Sequence, residues 1–242
     1  MIKKYTKYGI INFLKICALK IFNLKKITLK IRGDFPEIKL EGNSMDYRIY
    51  SDIYLYESYN INLKNTPKYI IDCGANVGIS TRYFRKIYPE SIIIAIEPDL
   101  RNFLQLQKNT IGTKIINYRV ALHHESTTLR LSDNSLSTYS KRFIDVQNGH
   151  EEVHALPLQA IFLESKWPKI DLIKIDIEGA EEALFKNNDP WIKLVNVFVI
   201  EFHDYLKCGM AQEILTKIFS NGKYSLKNKG EYTIIERLNW IY

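Results

Sequence analysis

Short apolar segments alternate with helix-like stretches from residue 67 onward. The apolar segments are 69–71, 92–96, 115–116, 172–175 and 195–202, and the helix-like stretches are 79–88, 100–109, 180–185 and 210–219. Uninterrupted apolar strands between helices are typical of a parallel sheet that is covered on both faces. The pattern therefore predicts an α/β fold, in which ligands bind beyond the C-terminal ends of the strands.

The two ends of the chain follow other patterns. Residues 27–31, 38–40 and 47–56 alternate between apolar and polar positions, which predicts short strands. Residues 223–227 and 232–238, on either side of Gly230, predict a terminal hairpin. We therefore expect an N-terminal helix and short-strand extension over residues 1–60 and a main domain over residues 61–242.

The first 26 residues place apolar side chains at helical spacing among lysines. Lys15 and Lys20 interrupt this apolar run, so a membrane-spanning helix does not fit it. The segment also lacks a clear small-residue cleavage site with a single compact apolar core, so a signal peptide is a poor fit. Two interpretations stay open. The helix either packs on its own domain or a partner, or lies in the plane of an anionic membrane surface as a peripheral contact.

The 242-residue chain has 34 Lys and Arg against 27 Asp and Glu, a formal net charge of +7. Lys, Ile and Asn are abundant throughout, so compositional bias explains this excess, and an anionic partner is the alternative. No nucleic-acid-binding motif is found, so no nucleic-acid partner is expected. Cys17, Cys73 and Cys208 are far apart and match no disulfide or zinc spacing, which favours a reducing, cytoplasmic location.

A glycine-containing loop follows the first parallel strand, in the segment from Asp72 to Gly78. Gly74 and Gly78 allow a sharp turn and a close approach to a ligand, and Asn76 tolerates a left-handed backbone. The spacing is not the three-glycine dinucleotide pattern, which would place a pyrophosphate at the helix N-terminus. Asp72 would repel a pyrophosphate and would suit a ligand with an ammonium group, such as the methionine part of S-adenosylmethionine. A plain β–α turn is the alternative interpretation of the loop.

The second parallel strand ends in Glu97, Pro98 and Asp99. An acidic residue at this place can accept hydrogen bonds from both hydroxyls of a ribose, and we assign Glu97 this role. Asp99 directly precedes a helix and suits its N-cap. Glu97 and Pro98, together with the glycine loop, are the predicted cofactor-binding residues.

Acidic residues cluster where the fourth parallel strand ends, at Asp176, Glu178 and Glu181. Strand alternation places Asp176 and Glu178 on one side. Mutual repulsion would raise one of their pKa values, which suits a general base or, alternatively, a divalent-metal site. Favourable charge in the first turn of a helix is a third explanation, although not for Asp176. No residue is assigned as a metal ligand here.

The fifth strand ends in Glu201, Phe202 and His203. Glu201 and His203 share a face, and an imidazole with a pKa near physiological pH can accept a proton from a hydroxyl. A histidine that is simply hydrogen-bonded at the sheet edge is the alternative. We name Asp176, Glu178 and His203 as the candidate catalytic residues.

These segments together resemble the FkbM family of S-adenosylmethionine-dependent methyltransferases. The matching segments are 71–78, 95–98, 170–181 and 200–203, in the order found in that family. The Asp-x-Glu-Gly-Ala-Glu segment at 176–181 is the most family-specific.

The resemblance implies a Rossmann-like class I methyltransferase fold, with a mostly parallel seven-stranded sheet that ends in an antiparallel hairpin. It also implies O-methylation, often of hydroxyls on glycans, glycolipids or secondary metabolites. The polar stretch 132–154 is expected to form part of the acceptor site. Alternatives are a nicotinamide-dependent sugar oxidoreductase, a non-catalytic glycan-binding or assembly protein on the same fold and, with less support from motifs, a nucleic-acid methyltransferase.

Overall fold

The computed structural model describes residues 14, 26–29, 37–41, 46–131, 143–144, 151–187, 190–220 and 222–241. The predicted N-terminal amphipathic helix therefore lies outside the described residues, apart from Leu14. Within the described part of the chain, no helix is long and apolar enough to cross a membrane.

A seven-stranded sheet forms the centre of the molecule, as the family resemblance implied. Its strands are β3 (Tyr69–Cys73), β4 (Ile92–Ile96), β5 (Ile115–Tyr118), β10 (Ile170–Ile175), β11 (Val195–Glu201), β12 (Tyr224–Lys229) and β13 (Tyr232–Arg237), in the order β12-β13-β11-β10-β3-β4-β5. Strands β5, β4, β3, β10 and β11 run parallel, and β13 pairs antiparallel with both β11 and β12. The predicted hairpin is confirmed.

Two hydrophobic clusters cover the two faces of this sheet. Consecutive residues of one strand point to opposite faces, so Ile70 belongs to one cluster and Ile71 to the other. The same division recurs along the sheet at Leu172 and Ile173. Because each strand is buried on both faces, it reads as an uninterrupted apolar run.

Helices connect the strands and pack on the sheet. They are α2 (Ile79–Ile87), α3 (Leu100–Thr110), α4 (Leu158–Ser165), α5 (Glu181–Phe185), a 3₁₀ turn (Pro190–Leu194) and α6 (Met210–Ile214), which continues as a π-helical turn (Leu215–Phe219). Helix α2 packs on one face through Tyr83 and Phe84. Helices α4 to α6 pack on the other face.

The N-terminal extension shares the core of the main domain. Strands β1 (Lys26–Leu29) and β2 (Ile38–Glu41) form an antiparallel pair. Leu29 and Ile38 are fully buried in the cluster that also contains Ile70 and Phe84. The boundary near residue 60 stays a prediction, but the two parts are packed as one hydrophobic unit.

The predicted strand over residues 47–56 is wrong. The chain instead forms helix α1 (Asp46–Tyr50), which continues as a π-helical turn (Ser51–Leu55). Tyr50, Ile53 and Tyr54 recur at helical spacing and are buried together, and the rings of Tyr50 and Tyr54 stack at 4.7 Å. Burial of this face decides the conformation against the strand propensity of its Tyr and Ile residues.

A second, four-stranded sheet was not predicted. It contains β6 (Ala121–Leu122), β7 (Thr127–Leu131), β8 (Phe143–Ile144) and β9 (Glu152–Leu156), in the order β6-β9-β7-β8. Part of the stretch expected in the acceptor site, 152–154, thus belongs to β9. Residues 132–142 and 145–150 lie outside the described residues.

Candidate active site

One cavity of about 530 Å³ opens at the C-terminal ends of the parallel strands. Its floor comes from the loops after β3, β4, β10 and β11, which is where ligands bind in such sheets. Ile53 of the N-terminal extension and Tyr232 of the terminal hairpin line its other side. The extension and the hairpin thus form walls of the cavity.

The loop after β3 has a backbone that requires its two glycines. Gly74 and Gly78 have φ angles of 76° and 90°, and Asn76 has a φ of 50°. A Cβ on residue 74 would lie 1.8 Å from the backbone oxygen of Asp176, and one on residue 78 would lie 2.8 Å from Leu106 Cδ1. Gly74 therefore lets the β3 loop touch the β10 loop, and Gly78 lets helix α2 begin against α3.

Asp72 occupies a different place from the one predicted. Its side chain is fully buried and does not line the cavity. Ser80 Oγ and Thr81 Oγ1 donate to Asp72 Oδ2 at 2.7 and 2.6 Å, and Lys174 Nζ lies 3.3 Å from Oδ1. These three neighbours therefore engage the carboxylate of Asp72. The predicted direct contact with a ligand ammonium is corrected, because Asp72 instead supports the loop through these contacts.

Glu97 lines the cavity and joins two loops. Its carboxylate accepts hydrogen bonds from the backbone N–H groups of Asn76 at 2.8 Å and Asp99 at 2.9 Å. Burial raises the pKa of Glu97 to about 7, although these two backbone hydrogen bonds act in the opposite direction. Each oxygen keeps acceptor capacity for a hydroxyl. Pro98 lies beside it in the cavity wall.

Asp99 has the predicted N-cap role. Its side chain accepts a hydrogen bond from the backbone N–H of Asn102 at 2.8 Å, at the start of α3. The two neighbouring acids of this segment therefore act differently, as the sequence indicated.

Lys174 joins the two halves of the site and was not predicted. Its ammonium group is 3.3 Å from Asp72 Oδ1 and 3.4 Å from Asp176 Oδ2, and it donates to the backbone oxygen of Gly74 at 2.6 Å. Burial acts to lower the pKa of Lys174, but the carboxylates of Asp176 and Asp72 outweigh it, so the net pKa is raised. A charged residue within an apolar central strand was the signal that could have identified it.

Asp176, Glu178 and His203 lie together, as predicted. His203 Nε2 is 3.4 Å from Glu178 Oε2 and 3.9 Å from both Asp176 Oδ1 and Glu201 Oε1. On the other side of the ring, Nδ1 is 2.8 Å from Oε1 of the fully buried Glu181. Four carboxylates therefore surround one imidazole.

The close approach of these carboxylates to His203, together with burial, shifts the pKa values of the cluster. Burial acts to lower the pKa of His203, but the hydrogen bond to Glu181 and the neighbouring carboxylates outweigh it and raise the pKa to about 9. Burial and the charge of Asp176 raise the pKa of Glu178 and bring that of Glu201 to about 7. At neutral pH, His203 holds a proton in the field of these carboxylates, which differs from the neutral base that the sequence predicted.

Several aromatic side chains that the sequence did not single out line the same cavity. Tyr59 Oη donates to Tyr232 Oη at 3.0 Å, which joins the N-terminal extension to the hairpin. Tyr205 lies at the rim with 73% of its surface exposed, and its ring packs against His203 at 5.8 Å. No local sequence pattern predicts that these residues line the cavity, because they are far apart in sequence.

The sequence profile of the Methyltransferase FkbM domain matches residues 72–226. The chain belongs to the FkbM methyltransferase family. It is therefore an S-adenosylmethionine-dependent methyltransferase, and the oxidoreductase interpretation is set aside. Its glycine loop, Glu97 and the acidic segment after β10 all lie within the matched residues.

Relatives of this FkbM methyltransferase are distant in sequence. Methyltransferase 1 of Beauveria bassiana (strain ARSEF 2860) is 25% identical over 231 residues, covering 85% of this chain and 87% of that protein. Methyltransferase sdnD of Sordaria araneosa is 28% identical over 189 residues, covering 62% and 73% of the two chains.

A solved structure supports the fold. The FkbM methyltransferase of Methylobacillus flagellatus KT superposes with a TM-score of 0.50 at 17% identity, covering 77% of this chain and 47% of that one. The present chain thus spans about half the length of that solved chain.

Proposed function

We propose that this methyltransferase acts on a hydroxyl of a sugar, a glycan or a related small metabolite. One observation carries the proposal. A single cavity joins the glycine loop and Glu97, which follow β3 and β4, to the carboxylate–histidine group, which lies at the ends of β10 and β11. A methyl donor held at the first pair of strands would face an acceptor held at the second.

The cofactor half is formed by residues around the β3 loop. Gly74, Asn76 and Gly78 shape the backbone that approaches the methionine part, and Glu97 accepts hydrogen bonds from the ribose hydroxyls beside Pro98. Asp72 holds the loop through its contacts with Ser80 and Thr81. Glu97 and Asp99 line this half of the cavity, and acidic side chains favour a ligand that carries a sulfonium and an ammonium group.

The acceptor half positions a hydroxyl for in-line attack. When bound, S-adenosylmethionine supplies a methyl group whose bond to sulfur breaks as the oxygen–carbon bond forms, with the electron pair remaining on the sulfur. Asp176 and Glu178 orient the hydroxyl, and one of these carboxylates accepts its proton. His203 positions these two carboxylates through the contacts of its Nε2. Alignment of the reacting groups supplies much of the rate in such a transfer.

Aromatic rings in the cavity favour a ring-shaped acceptor. Tyr59 and Tyr232 form one wall, and Tyr205 stands exposed at the entrance. Their faces offer apolar area and their hydroxyls offer hydrogen bonds, a combination that suits a sugar ring.

Calorimetric titration with S-adenosylhomocysteine, with NADH as the control, tests the cofactor half. Transfer of a labelled methyl group to a panel of saccharides, small hydroxylated metabolites and amines tests the acceptor half. We expect binding of S-adenosylhomocysteine alone and labelling of a hydroxylated acceptor. Asp176→Asn should lose transfer while keeping S-adenosylhomocysteine binding. Labelling confined to amine acceptors would contradict the proposal, and cofactor binding without any turnover would favour a non-catalytic role.

A further inference from the structure

The carboxylate–histidine group has the spacing of a cation site. One ligand atom from each of Asp176, Glu178 and His203 lies within 4.8 Å of the others, and Glu201 Oε1 is 3.9 Å from His203 Nε2. Separations of 3.4 to 3.9 Å between His203 Nε2 and these oxygens are longer than an ordinary hydrogen bond. They match neighbouring ligands on one ion with bonds of about 2.0–2.5 Å.

The histidine is held so that one nitrogen faces this space. Its Nδ1 is engaged by Glu181, whose carboxylate is fully buried, and the side chain of His203 itself is only 5% exposed. In the part of the chain that the structure describes, Nε2 makes ion-pair contacts but no hydrogen bond. A carboxylate behind one ring nitrogen is the usual way in which a metal-binding histidine is oriented through the other.

The charge of the side chains that line the cavity also favours a bound cation. Among the described residues that line it, the only cationic side chains are Lys174 and His203. The carboxylates that line it are Asp52, Glu97, Asp99, Asp176, Glu178, Glu201 and Glu231. Lys174 is already shared between Asp72 and Asp176, so the acceptor half keeps an excess of negative charge.

We propose that Asp176, Glu178 and His203 bind a divalent cation, with Glu201 close enough to complete the site. One imidazole with several carboxylates suits Mn²⁺ or Mg²⁺ and accommodates Zn²⁺. The ion takes the place of the proton on Nε2. The role of this ion rests on the proposed function, because it would bind the acceptor hydroxyl and lower the pKa of that hydroxyl. A sugar diol, which can chelate through two neighbouring oxygens, is the acceptor chemistry that this site favours.

Electron paramagnetic resonance of Mn²⁺ tests the site without cofactor or acceptor. The signal of free Mn²⁺ is lost on binding, so titration of the full chain gives stoichiometry and affinity. We expect one Mn²⁺ per chain, with affinity lowered at least about tenfold in Glu178→Gln and in His203→Ala. Glu178→Gln is the safer variant for folding, since a third of that side chain is exposed.

Two control variants make the outcome specific. Glu182→Gln changes an exposed carboxylate that pairs with Lys207, outside the cluster, and should leave Mn²⁺ binding unchanged. His123, His124 and Glu125 form a second group that could hold an ion, so His123→Ala tests whether Mn²⁺ binds there instead.

No bound Mn²⁺, or binding that is sensitive to His123→Ala but insensitive to Glu178→Gln, would overturn the cation site. S-Adenosylhomocysteine titration of the same samples keeps this result separate from the proposed function. If S-adenosylhomocysteine binds normally but Mn²⁺ does not, the cation site is contradicted and the proposed function stands.

Discussion

The backbone oxygen of Asp176 occupies the space next to Gly74 where the Cβ of any other residue would lie, 1.8 Å away. This contact joins the loop after β3, which shapes the cofactor half, to the loop after β10, which carries the acidic cluster. The two halves of the active site are therefore held in register by the absence of one side chain.

Gly74→Ala should disrupt this register. The left-handed backbone at residue 74 costs about 1 kcal/mol with alanine, and displacement of the β10 loop should add ~1–3 kcal/mol. Chemical unfolding and S-adenosylhomocysteine titration measure the two consequences. Gly209→Ala is the matched control, because Gly209 also has a positive φ, of 84°, but nothing lies within 4 Å of the point that its Cβ would occupy. Equal effects of both substitutions would refute the role of the loop contact.

Cofactor binding should depend on pH through Glu97. Burial raises the pKa of its carboxyl to about 7, and hydroxyls that donate to the ionised form would lower this pKa in the complex. The affinity for S-adenosylhomocysteine is therefore at its maximum above pH 7. It falls as pH decreases below 7, by roughly tenfold per pH unit until the pKa of Glu97 in the complex is reached. Calorimetry with S-adenosylhomocysteine between pH 8 and 5.5 measures this slope. Glu97→Gln should bind more weakly and without this slope, and an unchanged slope in the variant would remove Glu97 from the role.

Replacement of Lys174 should destabilise the fold. The side chain of Lys174 is 2% exposed and its ammonium group lies between Asp72 and Asp176, so Lys174→Met leaves two carboxylates without their cation. We expect a loss of about 3–5 kcal/mol in the free energy of unfolding. Urea unfolding measures it, and Lys174→Met with Asp72→Asn should recover part of the loss. Lys207→Met, which removes an exposed ion pair with Glu182, should leave stability unchanged.

Tyr205 should affect the acceptor and not the cofactor. It is 73% exposed at the rim, so Tyr205→Ala should fold normally, raise the KM for a hydroxylated acceptor several-fold and leave S-adenosylhomocysteine affinity as it is. Tyr56→Ala is the control, because Tyr56 is 66% exposed and does not line the cavity. A change in S-adenosylhomocysteine affinity with an unchanged KM would contradict this assignment.

The sequence alone determined the main sheet and the chemistry at its strand ends. Continuous apolar runs such as Ile92–Ile96 and helical spacing as in Leu100–Thr110 are properties of neighbouring residues, so local reasoning located these elements. Polar residues directly after such strands were expected to meet at one edge, and Glu97, Asp176 and His203 do line one cavity.

Only the tertiary structure decided which of these side chains face the cavity and what surrounds them. It placed Asp72 behind the loop, inserted Lys174 between two carboxylates and paired Tyr59 with Tyr232, 173 residues away. It also made a helix of 46–50, because burial of one face outweighed local propensity. Periodicity depends on consecutive residues, whereas the pairing of charges and the walls of a cavity depend on distant segments that only packing brings together.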